Sequence, residues 1–203
     1  MKSDIDVLMK ERNLDALLVL GAAEHNPPMY YFTGGGHISA AVLIKKRGEE
    51  PILFYNDMER DEAAKTGLQT KSMGMYSYQE LLKEAGGDKT LVGALHFQHM
   101  LTDLGLTKGH VAIYGNVEFG STFATVMKFQ SLMPELEIIG ENSMDSVFFR
   151  AMETKDEHDV ERIRQMGRIT TEVVRRTAEY LTASHVGKDE ILLKEDGSPL
   201  TVG

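Results

Sequence analysis

The feature that most limits what this chain can fold into is the steady return, across its first 150 residues, of short apolar runs between stretches of helical character. Asp15-Ala-Leu-Leu-Val-Leu20 is continuously apolar, too short for a helix and closed by Gly21, so it reads as a strand buried on both faces. Ser39–Lys45 and Pro51–Tyr55 read as two strands joined by a turn over residues 46–50, and this pair is expected to run antiparallel. Weaker strands are predicted at Gln69–Met73, Val111–Tyr114 and Leu136–Ile139. Between them, helices are predicted over residues 4–12, 57–66, 90–104, 118–132 and 143–150. Another should start at Ser77, which with Glu80 has the form of a capping box. Strands alternating with helices make an α/β fold, here a mixed β-sheet flanked by helices on both faces.

Two segments interrupt this rhythm. His25-Asn-Pro-Pro-Met29 reads as a turn, because the residue before each proline is pushed out of the helical region. Gly34-Gly-Gly36 then reads as a mobile loop. A change of character follows near residue 153. Thr154 and Glu157 form a second capping-box pattern, and one long helix is predicted from there to Ser184. Val160, Ile163, Gly167, Thr170, Val174, Thr177 and Leu181 follow one another at steps of three and four along a single seam, which Met166, Ile169, Val173 and Tyr180 widen. Such an apolar face needs a partner surface, and only a short tail with no closing element follows it, so truncation of a longer protein is the expectation. The sequence thus divides into an α/β domain over 1–150 and a linker, long helix and domain start over 151–203.

Composition narrows the chemistry. A net charge of −9 disfavours nucleic acid and anionic membrane surfaces as partners, and no apolar run approaches the length of a transmembrane helix. The absence of cysteine removes disulfides and thiolate metal sites and suits a reducing cytoplasm. No phosphate-binding loop, nucleophile elbow or His-Glu-x-x-His helix is present, and Gly34-Gly-Gly36 lacks the residues that would make it a phosphate cradle. His96 and His99 stand three apart on a predicted helix without a third ligand at useful spacing; His158 and Glu161 repeat that spacing in a charged first turn. These pairs read as surface or half-buried side chains. The sequence shows no catalytic and no metal-ligating residue.

The order of elements nevertheless has a recognisable pattern. Asp15-Ala-Leu-Leu-Val-Leu20, then Asn26, then Tyr31-Phe-Thr-Gly34, resembles the opening of creatinase, prolidase and aminopeptidase P proteins. The stretch from Phe149 to Arg164 resembles that family's domain junction, with Arg150, Lys155, Glu157, Val160, Ile163 and Arg164 in comparable roles. It departs in carrying Glu153-Thr154 before the lysine and an extra polar residue, His158. The resemblance implies a creatinase/prolidase N-terminal-like domain followed by the start of a truncated pita-bread catalytic domain. It implies a parent Xaa-Pro aminopeptidase or dipeptidase in which two Asp, one His and two Glu hold two divalent ions (Mn, Co or Zn), none of them bound by this segment. It also implies a homo-oligomer, with a dimer expected, and short proline-containing peptides as substrates. The N-terminal domain would supply oligomer contacts and restrict access to the active site. His37, the one ionisable side chain between Gly34 and Ser39, is the expected substrate-end contact, offered to a neighbouring subunit's site, with Tyr30 and Tyr31 near the same rim. A peptide-binding module that has lost catalysis, or a creatinase-like hydrolase of a non-peptide substrate, is the alternative.

Overall fold

A computed structural model describes residues 4–188 and 190–201. The chain divides into two compact units, Met1–Thr154 and Lys155–Gly203.

The first unit is built on six strands: β1 (Ala16–Gly21), β2 (Ala41–Lys46), β3 (Ile52–Tyr55), β4 (Gln69–Ser72), β5 (Gly109–Asn116) and β6 (Leu136–Gly140). They lie in the order β4-β3-β2-β1-β5-β6. β2 runs antiparallel to both β1 and β3, and every other neighbouring pair is parallel. The sheet is therefore mixed, with β2 the one reversed strand. β1 sits at its centre with five consecutive buried residues, which is why its sequence is apolar without alternation.

Helices cover both faces. The side chains of Leu17, Val19, Leu43 and Leu53 point to one layer, where α1 (Ile5–Glu11), α2 (Pro27–Thr33), α3 (Arg60–Lys65) and α7 (Val147–Glu153) bury Ile5, Met29, Ala63 and Phe148. Leu18, Leu20, Ile44 and Phe54 point the other way, against Leu101 of α5 (Lys89–Asp103) and Phe129 of α6 (Phe119–Leu132). The strict alternation along β1 is what makes two cores from one strand. α4 (Tyr78–Glu84) packs outside this layer, with Leu81 and Ala85 against Val92 and Leu95. Side-chain caps start several helices. Asp88 accepts from Thr90 N (2.9 Å) and Leu91 N (3.2 Å), and Ser77 accepts from Glu80 N, the backbone half of the expected capping box.

The structure changes the sequence reading at several places, including the last helix before the junction, which starts only at Val147. The two prolines do not make a turn: they occupy the first helical positions of α2, and Asn26 before them takes the non-helical conformation that a proline requires. Proline at a helix start removes only an N–H that had no helical partner. Residues 57–66 begin as a 3-10 turn, Asp57–Glu59, before becoming α-helical. At the junction Thr154 is the C-cap of α7, and Asp156 caps the next helix by accepting from Asp159 N at 2.8 Å.

The second unit consists of α8 (Glu157–Ala183) and a small hairpin of β7 (His185–Val186) with β8 (Leu192–Leu193). α8 is strongly amphipathic yet buries none of its side chains. On its polar side Arg175 bridges Glu172 and Glu179 at one-turn spacing. Among the described residues no helix is long and apolar enough to cross a membrane.

Candidate functional site

Within the six-stranded sheet every strand except β2 points the same way, so the C-terminal ends of β1, β3, β4, β5 and β6 gather at one end. That end is the usual place for function in an open α/β sheet. The loop carrying His37 enters β2 there, beside the exit of β1, since Ala41 pairs with Gly21.

That loop is not loose. α2 ends at Gly34, whose left-handed conformation lets its N–H reach Tyr30 O at 2.9 Å. Gly35 is also left-handed, and the Tyr30 ring lies so close over it that a Cβ would stand 2.9 Å from the ring. After the glycines the chain is tied down. Ile38 is 1% exposed and plugs into the core, while its carbonyl accepts from Ala23 N at 2.9 Å. Ser39 N donates to Glu59 Oε1 at 2.7 Å. His37 itself stays exposed, with Nδ1 3.1 Å from Glu24 Oε1. Glu62 lies beside it; its carboxyl is held below the usual range first by Lys65 and more weakly by His37. The expected mobile loop is thus a short glycine elbow followed by an anchored arm.

The other residues singled out by sequence are dispersed. Tyr30 is exposed at the rim, whereas Tyr31 packs edge-on against Phe32 and Phe148 as part of the core layer. Asn26 is buried and donates to Leu20 O at 2.8 Å, which fastens the end of β1 to the start of α2. His96 and His99 do share a helical face, but both lie against the Tyr76 ring, at 5.3 and 5.9 Å between centroids. Burial lowers the His96 pKa, the Met73 backbone opposes that, and nearby His99 adds to it. Tyr76 donates to Asp103 at 2.7 Å; burial first and that bond second push its phenol well above the usual range.

Glu161 does not join His158 but pairs with Arg164. Among the described residues one group has metal-like proximity: Asp156, His158 and Asp159, with donor atoms within 4.8 Å of one another. It offers three donors on the first turn of α8, one of them serving as the helix cap, where the resemblance implies five from two Asp, one His and two Glu. The group does not fit that pair of ions.

The sequence reading missed an apolar groove of about 660 Å³ between α6, α7 and the outer end of β5. Phe119, Phe123 and Val126 line it from α6, and Phe148, Phe149 and Met152 from α7. Phe119 and Phe123 stack at 5.8 Å between centroids. β5 continues three residues past the last pairing of β6, at Ile113 and Gly140, which leaves this end of the sheet open. The signal was present as apolar residues at steps of three and four along α6, at Phe119, Phe123 and Val126. On the floor Glu141, 7% exposed, accepts from Arg12 (2.9 Å), Val147 N (2.8 Å) and the Tyr114 hydroxyl. A half-buried carboxylate with this many donors is a structural anchor. A second cavity of about 350 Å³ lies over the ends of β1 and β2, lined by Met73, His96 and Thr122.

Comparison with known proteins bears on the whole arrangement. The family model described as the creatinase/prolidase N-terminal domain matches residues 3–140. No curated relative matches the sequence. Among solved structures, a dipeptidase from Pyrococcus horikoshii OT3 shares the fold with a TM-score of 0.58 at 16% identity, over 88% of this chain and 44% of that one. An X-Pro aminopeptidase from Thermotoga maritima MSB8 does so with a TM-score of 0.55 at 18% identity, over 92% and 44%. A prolidase from Thermococcus sibiricus gives 0.58 at 13% identity, over 87% and 42%. The chain therefore spans less than half the length of these structures, and at such identities they speak for the fold alone. With the family model covering most of its α/β unit, the chain belongs to the creatinase/prolidase N-terminal domain family.

Proposed function

We propose that this chain serves as the non-catalytic N-terminal region of a metal-dependent Xaa-Pro aminopeptidase or dipeptidase. The observation that carries the reading is the family match over residues 3–140, on a fold shared with proteins described as a dipeptidase, an X-Pro aminopeptidase and a prolidase. In this reading the two divalent ions (Mn, Co or Zn) and the groups that hold them belong to the catalytic part of the protein and not to this segment. The α/β unit contributes the contacts of a homodimer and narrows the approach to the active site, so that short proline-containing peptides enter and longer chains do not. The protein works in the cytoplasm, in keeping with a chain that has no cysteine.

The anchored arm supports a role for His37 as a contact to the substrate's end, offered in trans to a neighbouring subunit. An exposed imidazole on a backbone held by Ile38 and Ser39 costs little to order when a ligand arrives. The test is steady-state hydrolysis of a Xaa-Pro dipeptide by the full-length protein. His37→Ala should raise KM about tenfold or more with kcat nearly kept, the loss expected for one hydrogen bond to a charged group. Unchanged KM and kcat would remove His37 from the substrate path.

A further inference from the structure

The hairpin between β1 and β2 does not end where the sheet ladder ends. Gly21 pairs with Ala41, and two residues further out the strands meet again through the bond from Ala23 N to Ile38 O, now one residue out of step. The next residues outward, Glu24 and His37, consequently stand opposite each other, and Glu24 Oε1 lies 3.1 Å from His37 Nδ1. Opposed side chains on paired backbones interact without either having to search for the other. The backbone beside Glu24 is held by the Ala23–Ile38 bond, and the one beside His37 by that same bond, the buried Ile38 side chain and the bond from Ser39 N to Glu59.

We infer that Glu24 is a positioning residue for His37: it fixes the tautomer of the imidazole and aims Nε2 outward. An ionised carboxylate only accepts hydrogen bonds, so the ring nitrogen facing it must carry the proton. In the neutral ring the proton sits on Nδ1, and the outward Nε2 presents a lone pair. The acids beside His37 are Glu24 and Glu62, and the Lys65 ammonium is bound to Glu62 at 2.6 Å. The neutral arm is then a hydrogen-bond acceptor. The ligand end that fits it is a donor, such as a peptide's amino group or an amide N–H, rather than a carboxylate.

This assignment of ligand chemistry rests on the reading of His37 as a substrate contact; the tautomer does not. It is measured without substrate, by nitrogen–proton correlation NMR on the 15N-histidine-labelled chain above the imidazole pKa, with the His37 signals identified by their loss in His37→Asn. The expected spectrum shows Nδ1 protonated and Nε2 bare. In Glu24→Ala, whose exposed site should leave the fold intact, the proton should move predominantly to Nε2. A wild-type ring protonated at Nε2, or a Glu24→Ala ring unchanged from wild type, would overturn the inference. A His37→Ala protein with normal KM would defeat the substrate reading and leave the Glu24 pairing standing.

Discussion

At the scale of single residues, the side chains that look most chemical in the sequence have mostly been put to structural use. His96 is the clearest case. Its Nε2 is shielded from solvent without a hydrogen-bond partner, Tyr76 and His99 crowd the ring, and Asp103 is engaged by the Tyr76 hydroxyl. Burial, the largest influence, lowers its pKa from the ordinary 6.5, so the unfolded chain binds a proton that the folded one resists. Stability should therefore be full above about pH 6.5 and decline as the pH falls below it. Urea midpoints measured between pH 7.5 and 5 should show a steeper acid loss for wild type than for His96→Asn. Equal slopes would mean that this ring does not govern the acid sensitivity. Lys45 makes the same point without titration: it is 1% exposed, and its ammonium is shared between Asp6 (2.7 Å) and the carbonyl oxygens of Lys46 and Glu49. Nothing in the run Ile44-Lys45-Lys46 marks the middle one as buried, because its partners come from the turn and from α1.

At the scale of elements, the most telling feature is the arm that follows the three glycines. Read as sequence, those glycines suggest mobility, but Ile38 just behind them is as deeply buried as the strand residues. Ile38→Ala should cost about 2–4 kcal/mol, the range for deleting a buried branched side chain, and should raise amide exchange at residues 34–40 above that of the β1–β2 ladder. A stability loss below about 1 kcal/mol with unchanged exchange would mean that Ile38 does not hold the arm. The central strands β1 and β2 were legible because burial on both faces demands continuous apolar runs, whereas edge strand β4 is polar; most helices were legible because their apolar residues repeat at helical spacing. The start of α2 was not legible, because the rule for residues before proline and the tolerance of proline at a helix start point in opposite directions. The apolar groove escaped because it is made jointly by α6, α7 and the unpaired end of β5, a juxtaposition that no local pattern encodes. Of the proposed site, His37 could be singled out only through the family resemblance of its loop; its partner Glu24 could not, since the one-residue offset in the hairpin decides which acid stands opposite.

At the scale of the whole molecule, a mixed sheet with a core on each face gives the α/β unit an interior of its own, and Lys155–Gly203 is a second compact unit. The family match lies within the first unit, which carries the site proposed for substrate contact but no cluster fitting a pair of catalytic ions among the described residues. The central claim is that this chain shapes and presents a peptidase site without containing one. It is tested most directly by assaying the purified 203-residue chain for hydrolysis of a Xaa-Pro dipeptide with added Mn, Co or Zn, against the same protein with chelator. The account predicts turnover indistinguishable from the chelated control with each metal. Metal-dependent cleavage by this chain alone, abolished by chelator and restored by metal, would contradict it.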